Sequence, residues 1–291
     1  MSTAAPPAIS IVLPTHNGAR FLRESIDSCL AQTFHDFELI LVDDCSTDST
    51  PAILAEYAQR DPRIKTCRNA SNLRLPASLN AGFSHAAGRY FTWTSDDNRY
   101  RPHALQTLAY FLDHRPEVDL VYSDYSVIDN RGSVVACYLA APIEKLARVN
   151  CVGASFLYRR RVHDELNGFD VERPLVEDYD FWLRAARRFR FAPLPLDLYE
   201  YRQHEGTLST HHAADIRALN RVLLRETLRR PGWLTRSARA RASVALSRAT
   251  LSFGGRTQAM ADFWLGCRIA PGAVVAECAA RAYRHLFGRT A

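Results

Sequence analysis

The chain has 291 residues, with 37 lysines and arginines against 31 acids for a net charge of +6, and 47% of it is hydrophobic. That is ample apolar content for one large domain or one and a half. Its seven cysteines are scattered without a paired two-residue spacing, which argues against a zinc site or disulfide framework and for reduced thiols in the cytoplasm. No apolar run approaches the ~20 residues that span a bilayer, and residues 1–8 lack the charged and apolar regions of a secretion leader.

In chain order, the first apolar run is Ile9-Ser10-Ile11-Val12-Leu13, which stops on Pro14-Thr15-His16-Asn17-Gly18. Residues 19–31 then place Phe21, Leu22, Ile26, Cys29 and Leu30 on one helical side. A second run from Phe37 to Val42 ends on Asp43-Asp44, and residues 50–60 repeat the helical spacing with Ile53, Leu54, Tyr57 and Ala58. Continuous apolarity, rather than alternation, predicts strands covered on both faces. Strand, helix, strand, helix predicts an α/β fold with a doubly wound, mostly parallel sheet. A third run, Tyr90-Phe91-Thr92-Trp93, stops on Thr94-Ser95-Asp96-Asp97-Asn98. Paired acids at the carboxyl end of a buried strand lie where open α/β sheets bind ligands, and they suit a divalent cation carrying a diphosphate. No G-x-G-x-x-G follows the first strand, which disfavours a nicotinamide dehydrogenase.

Taken together, these segments resemble the inverting glycosyltransferases of family 2, which have the GT-A fold. The resemblance rests on Ile9 to Gly18, Leu41 to Thr50, Arg74 to Gly82, Gly88 to Asp97, Val176 to Arg184 and Tyr201 to Ser209, six ordered matches between about residues 8 and 210. It implies that Pro14, Thr15, His16, Asn17 and Asp44 hold the nucleobase and ribose, with Asp43 bracing its loop, and that Arg74 contacts the nucleotide. Asn17-Gly18 and Thr47-Asp48 are also good turn and capping residues. Mn²⁺ or Mg²⁺ is implied at Asp96 and Asp97. Asp97 is the expected direct ligand and Asp96 touches the ribose or a metal-bound water, with the reverse assignment open. His204 is implied as a further ligand. Asp178 is implied as the base that takes the acceptor's proton, with Asp180 next in line. Three acids in a helix's first turn also stabilise its dipole.

One position departs from the family. Many members carry an acid where this chain has Thr94, which keeps open a catalytically silent sugar-nucleotide-binding or scaffold protein. A polyprenyl-phosphate glycosyl synthase is the nearest enzymatic alternative. The implied partners are a nucleotide diphosphate sugar, uridine or thymidine being favoured, and a glycan or lipid-linked acceptor in cell-surface polysaccharide synthesis.

The net charge hides an asymmetry. From Arg217 onward 14 arginines meet three acids, a net of +11 that leaves −5 for residues 1–216. Helical patterns over 216–228, 237–251, 257–269 and 273–287 are punctuated by Pro231-Gly232, Gly254-Gly255 and Pro271-Gly272. The tail lacks interleaved aromatics and any nucleic-acid module, so nucleic acid is not an expected partner. The boundaries expected are a catalytic domain over 1–215 and a basic helical region over 216–291. That region is either a solvated basic bundle or a peripheral contact with an anionic membrane at the cytoplasmic face.

Overall fold

The computed structural model describes residues 5–230, 232–253 and 255–287, with side chains through 282. Residues 1–4, Pro231 and Gly254, used above for leader and turn signals, lie outside the described residues. The chain forms two compact units. The first runs through Ile143 and adds Cys151–Ala213, and the second comprises Glu144–Asn150 and the chain from Ala214 on.

The first unit opens with β1 (Ile9–Thr15), α1 (Leu22–Leu30), β2 (Phe37–Asp43), α2 (Thr50–Arg60), β3 (Ile64–Arg68), α3 (Arg74–Ser84) and β4 (Tyr90–Trp93). Both β1 and β2 are buried at every residue, as their unbroken apolar runs require. Their two polar members answer each other. Ser10 and Glu38 are register partners, and Ser10 donates to the Glu38 carboxylate at 2.6 Å, so neither is buried without a partner. Gly82 lets α3 lie tight on the sheet, since a Cβ there would come within 2.4 Å of Val12.

There follow β5 (Arg99–Tyr100), α4 (Ala104–Asp113), β6 (Leu120–Ile128), β7 (Val134–Tyr138), β8 (Phe156–Arg159), α5 (Arg160–Leu166), α6 (Glu177–Ala185), β9 (Phe191–Arg202) and α7 (Leu208–His211). Among the described residues the strands form one sheet in the order β3-β2-β1-β4-β8-β6-β9-β5, with β7 paired to β6. The first four strands are parallel. Beyond β4 the sheet becomes mixed, because β8 runs antiparallel to both β4 and β6, and only β6 and β9 are again parallel. The expectation of a mostly parallel sheet therefore holds for the β1–β4 half and gives way in the other half, where β5, β7 and β8 enter antiparallel. The order places the carboxyl ends of β1, β2 and β4 side by side, with Thr15 opposite Asp43 and Val12 opposite Trp93. This is the point at which successive strands leave β1 in opposite directions, and it forms a crevice.

The second unit holds α8 (Ala213–Arg229), α9 (Arg236–Leu251), α10 (Arg256–Ile269) and α11 (Pro271–Phe287). Small residues set its packing. Ala240, Val244, Ile269 and Val274 form a core, and a Cβ on Gly266 would press to 2.9 Å from the Ala240 carbonyl.

Candidate active site

The acids after β4 meet the end of β1. Thr15 donates its hydroxyl to Asp96 at 2.5 Å, and Gly18 leaves the space that Asp96 fills, since a Cβ there would stand 1.9 Å from Asp96 Oδ2. Gly18 thus appears at this turn for close approach as well as for chain reversal. The acidic loop is held on several sides. Ser25 of α1 donates to the Ser95 carbonyl at 2.8 Å, and Arg202, 1% exposed, donates from Nε to the Asp97 carbonyl at 2.9 Å. The same guanidinium reaches Glu24 at 2.6 Å and lies 4.3 Å over the Phe21 ring, whose centroid is 5.4 Å from that of His204. Thr94 turns inward, buried, and shares a 2.6 Å hydrogen bond with the Tyr199 hydroxyl.

Burial, with the Asp97 charge second, pushes Asp96 up to about 7, and burial pushes Asp97 up to about 6. Two carboxylates so placed are short of positive charge, and a divalent cation would restore both to the ionised form. The donor set fits such a cation, because Mg²⁺ and its analogues take one or two carboxylates and complete their shell with phosphate oxygens and water. No group of three or more His, Cys, Asp or Glu side chains arranged to hold a metal occurs among the described residues. The Gly206 N–H donates to His204 Nδ1 at 3.1 Å, which leaves the proton of the neutral ring on Nε2, 3.1 Å from Asp97 Oδ2. Burial, then Arg20 and Arg202, hold this imidazole below its usual value and hence neutral. In this arrangement His204 can donate to Asp97, and its Nε2 faces the same carboxylate that a cation would meet.

The β1 and β2 loops are joined residue by residue. His16 Nδ1 is 2.7 Å from the Asp44 carbonyl, and Asn17 Oδ1 accepts from the Thr47 N–H at 2.8 Å. Pro14 is a buried strand residue opposite Val42. Asp43 braces its own turn by accepting from Ser46 N–H. Asp44 also braces, accepting from Leu73 N–H, Arg74 N–H and the Asn69 amide at 2.8 to 2.9 Å, so any base contact must use the acceptor capacity left over. Arg74 gives its backbone to Asp44 and exposes its side chain at the start of α3. Among the described residues, four of the five non-glycine residues with positive φ border this crevice or the next site: Asn17, Cys45, Arg74 and Leu175. Each costs about 1–2 kcal/mol and clusters of this kind accompany ligand sites.

The second pair of acids starts α6. Glu177 is 5% exposed, and its Oε2 has no hydrogen-bond partner. Burial, then the charge of Asp178, push it up to about 8. Asp178 is half-buried and accepts from the Tyr179 N–H at 2.6 Å, at the helix end that favours an anion. Asp180 belongs to the scaffold instead, since it is ion-paired at 2.7 Å with Arg184, which also donates to the Leu166 and Gly168 carbonyls. Tyr201 links the two acid pairs. After burial, the charges of Asp97 and Asp178 both raise its phenol. Thr15, Asp96, Asp97 and His204 are thus brought together, and Asp44 and His16 join them through the β2 loop, while Asp178 opens α6. Gly18, Tyr201, Arg202 and Glu177 are not among the site residues expected from the sequence. A glycine after Asn17 and a buried-strand arginine beside His204 were the available signals for two of them.

A parallel four-strand half with an acidic loop at its switch point, joined to a mixed half carrying a second acid pair, defines a GT-A fold. The family model for glycosyl transferase family 2 matches residues 10–166, and the chain belongs to that family. The putative glycosyltransferase EpsE of Bacillus subtilis is 34% identical over 205 residues, covering 68% of this chain and 73% of that protein. An uncharacterized glycosyltransferase of Rickettsia felis is 31% identical over 66% of this chain, which spans only 33% of that protein's length. Among solved structures, S. aureus TarS 1–349 in complex with UDP-GlcNAc has a TM-score of 0.68 at 20% identity, over 84% of this chain and 73% of that one.

Proposed function

We propose that the chain is an inverting, metal-dependent glycosyltransferase that moves a sugar from a nucleoside diphosphate to a hydroxyl of a glycan or lipid-linked acceptor in cell-surface polysaccharide synthesis. The observation that carries this reading is the pairing of Thr15 with Asp96 at the switch point, beside the Asp97–His204 contact. It supports the reading because two under-compensated carboxylates then lie together at the switch point. The relative solved with UDP-GlcNAc makes uridine the first nucleobase to test, with thymidine second. When bound, Mn²⁺ or Mg²⁺ at Asp97 and Asp96 would neutralise the departing diphosphate.

The chain's own groups do the rest. Thr15, with Gly18 beside it, fixes Asp96, while His204 and Arg202 aim Asp97 from its side chain and its peptide. The segment from Pro14 to Asn17, the Asp44 turn and Arg74 form the nucleotide's bed. Asp178, at the helix N-terminus beside a Glu177 that burial holds toward its neutral form, takes the proton of the acceptor hydroxyl as that oxygen bonds to the anomeric carbon. The bond to the diphosphate breaks with its electron pair on the leaving group. No nucleophile interposed between these poles is part of the scheme, so configuration inverts. Turnover of UDP-GlcNAc and other UDP and dTDP sugars by the wild type and by Asp178→Asn tests the reading. The variant should lose about 10²–10⁴ in kcat. Near-normal turnover would remove the base and favour a phosphate acceptor. Failure of the wild type to split any of these donors would favour a silent binding protein.

We also propose that residues 216–291 act as a peripheral membrane contact for a catalytic domain over 1–215. No described helix is long and apolar enough to cross a membrane. Two of the tail's three acids, Asp262 and Glu277, are ion-paired to Arg225 and Arg248. On α10 the exposed residues Arg256, Met260, Trp264 and Arg268 recur every fourth position, with Met260 62% and Trp264 58% exposed. A Trp and Met stripe between arginines suits the headgroup level of an anionic leaflet, each cation adding about 1 kcal/mol. Flotation with phosphatidylglycerol vesicles should show salt-sensitive binding that Trp264→Ala weakens. Equal behaviour with phosphatidylcholine vesicles, or no binding at low salt, would reject it.

A further inference from the structure

β7 is exposed at every residue and carries no charge: Val134, Val135, Ala136, Cys137 and Tyr138, with Leu139 exposed after them. Folded proteins usually blunt such an edge with charge, so an uncharged one calls for a ligand or partner. Tyr138 is the register partner of Tyr125 on β6, and the two rings stack with centroids 5.0 Å apart and planes 4° from parallel. Tyr125 in turn meets Tyr201 of β9 edge-on at 6.2 Å. The Tyr201 hydroxyl shares a 2.6 Å bond with Ser209, which fixes that ring. One face of three neighbouring strands therefore carries a row of tyrosines, rim to centre.

The inner end of the row adjoins the acidic loop, because Arg202, next to Tyr201 on β9, donates to the Asp97 carbonyl at 2.9 Å. Burial raises the Tyr125 phenol, and the charges of Tyr138, Tyr201 and Asp178 add to it in that order. The backing of the row is also built for closeness. Gly153 has φ +68°, and a Cβ there would come within 2.4 Å of the Tyr125 ring, so only glycine lets its loop close on that tyrosine. Tyr138 remains 57% exposed with one face on Tyr125.

We propose that Tyr138, backed by Tyr125, is the acceptor platform, on which a neutral pyranose ring of a glycan lies before its hydroxyl is presented to Asp178. The proposal rests on the transferase reading and names its acceptor class. An aromatic face carries partial negative charge and attracts the C–H bonds of one pyranose face, and a stacked pair presents that face at fixed orientation. The absence of charge along residues 134–139 suits an uncharged sugar ring over an acceptor phosphate.

Saturation-transfer NMR with methyl α- and β-glycosides of glucose, galactose, mannose and N-acetylglucosamine, and with octyl β-glucoside, tests this, using Mg²⁺ with and without UDP. At least one glycoside should receive saturation on its ring C–H protons. Tyr138→Ala should weaken that binding roughly three- to tenfold, Tyr138→Phe should retain it, and UDP affinity by calorimetry should stay unchanged in both. No saturated glycoside, equal binding by Tyr138→Ala, saturation confined to the octyl chain, or sedimentation showing β7 covered in a dimer would each overturn the platform. Failure of the wild type to bind UDP counts against the donor reading alone, because the glycoside signal without UDP judges the platform separately.

Discussion

The two acid pairs, Asp96-Asp97 after β4 and Glu177-Asp178 at the start of α6, look alike in sequence and behave differently in the fold. Both contain a carboxyl pushed up first by burial and next by its neighbour's charge, Asp96 to about 7 and Glu177 to about 8. In the first pair Asp97 is raised too, so the pair as a whole is short of positive charge. In the second, the deeper acid keeps a proton and the shallower one sits on a helix N-terminus that favours its charge. Under the proposed function the first pair would take a cation and the second would set a raised Glu177 beside the Asp178 that accepts the acceptor's proton, giving donor chemistry to the loop after β4 and acceptor chemistry to α6.

The largest way to break the comparison is at Asp97. Asp97→Ala, or chelation of the wild type, should take sugar transfer to background, because the cation proposed there would offset the charge that develops on the diphosphate. Chelator-resistant transfer would erase the distinction between the pairs. A smaller effect sharpens the other side. Glu177 stays protonated in the fold to about pH 8 but ionises near 4.3 when unfolded. Between those values the native state binds more protons, so stability falls as pH rises through that window. Glu177→Gln, uncharged throughout, should flatten the decline in Tm between pH 5 and 8, each kcal/mol being worth about 2–4 °C in a domain of this size. Parallel Tm curves for the two proteins would mean that Glu177 is ionised and that Asp178 has a charged neighbour.

Much of the donor half was legible because its signals are local. Runs such as Phe37 to Val42 and Tyr90 to Trp93 are apolar for the physical reason that both faces are covered, and their abrupt ends on acids mark the edge of the sheet. The acceptor half was not legible in the same way. Tyr125, Tyr138 and Tyr201 lie on three strands that only tertiary pairing brings together, and each alone reads as an ordinary strand aromatic. The left-handed conformations of Cys45, Arg74 and Leu175 are likewise invisible, since none is the glycine or asparagine that such a backbone favours. Two contacts are also invisible in sequence: the Gly206 N–H on His204 Nδ1, and the ion pair that ties Asp180 to Arg184.

The division of labour between the pairs is tested most directly by calorimetric titration of UDP, with and without Mn²⁺, into the wild type, Asp97→Ala and Asp178→Asn. The wild type and Asp178→Asn should bind with similar affinity and gain from Mn²⁺ alike, whereas Asp97→Ala should lose the gain. Cation-independent binding by the wild type, or a loss of the Mn²⁺ effect in Asp178→Asn, would contradict the assignment of Asp97 to the donor and Asp178 to the acceptor.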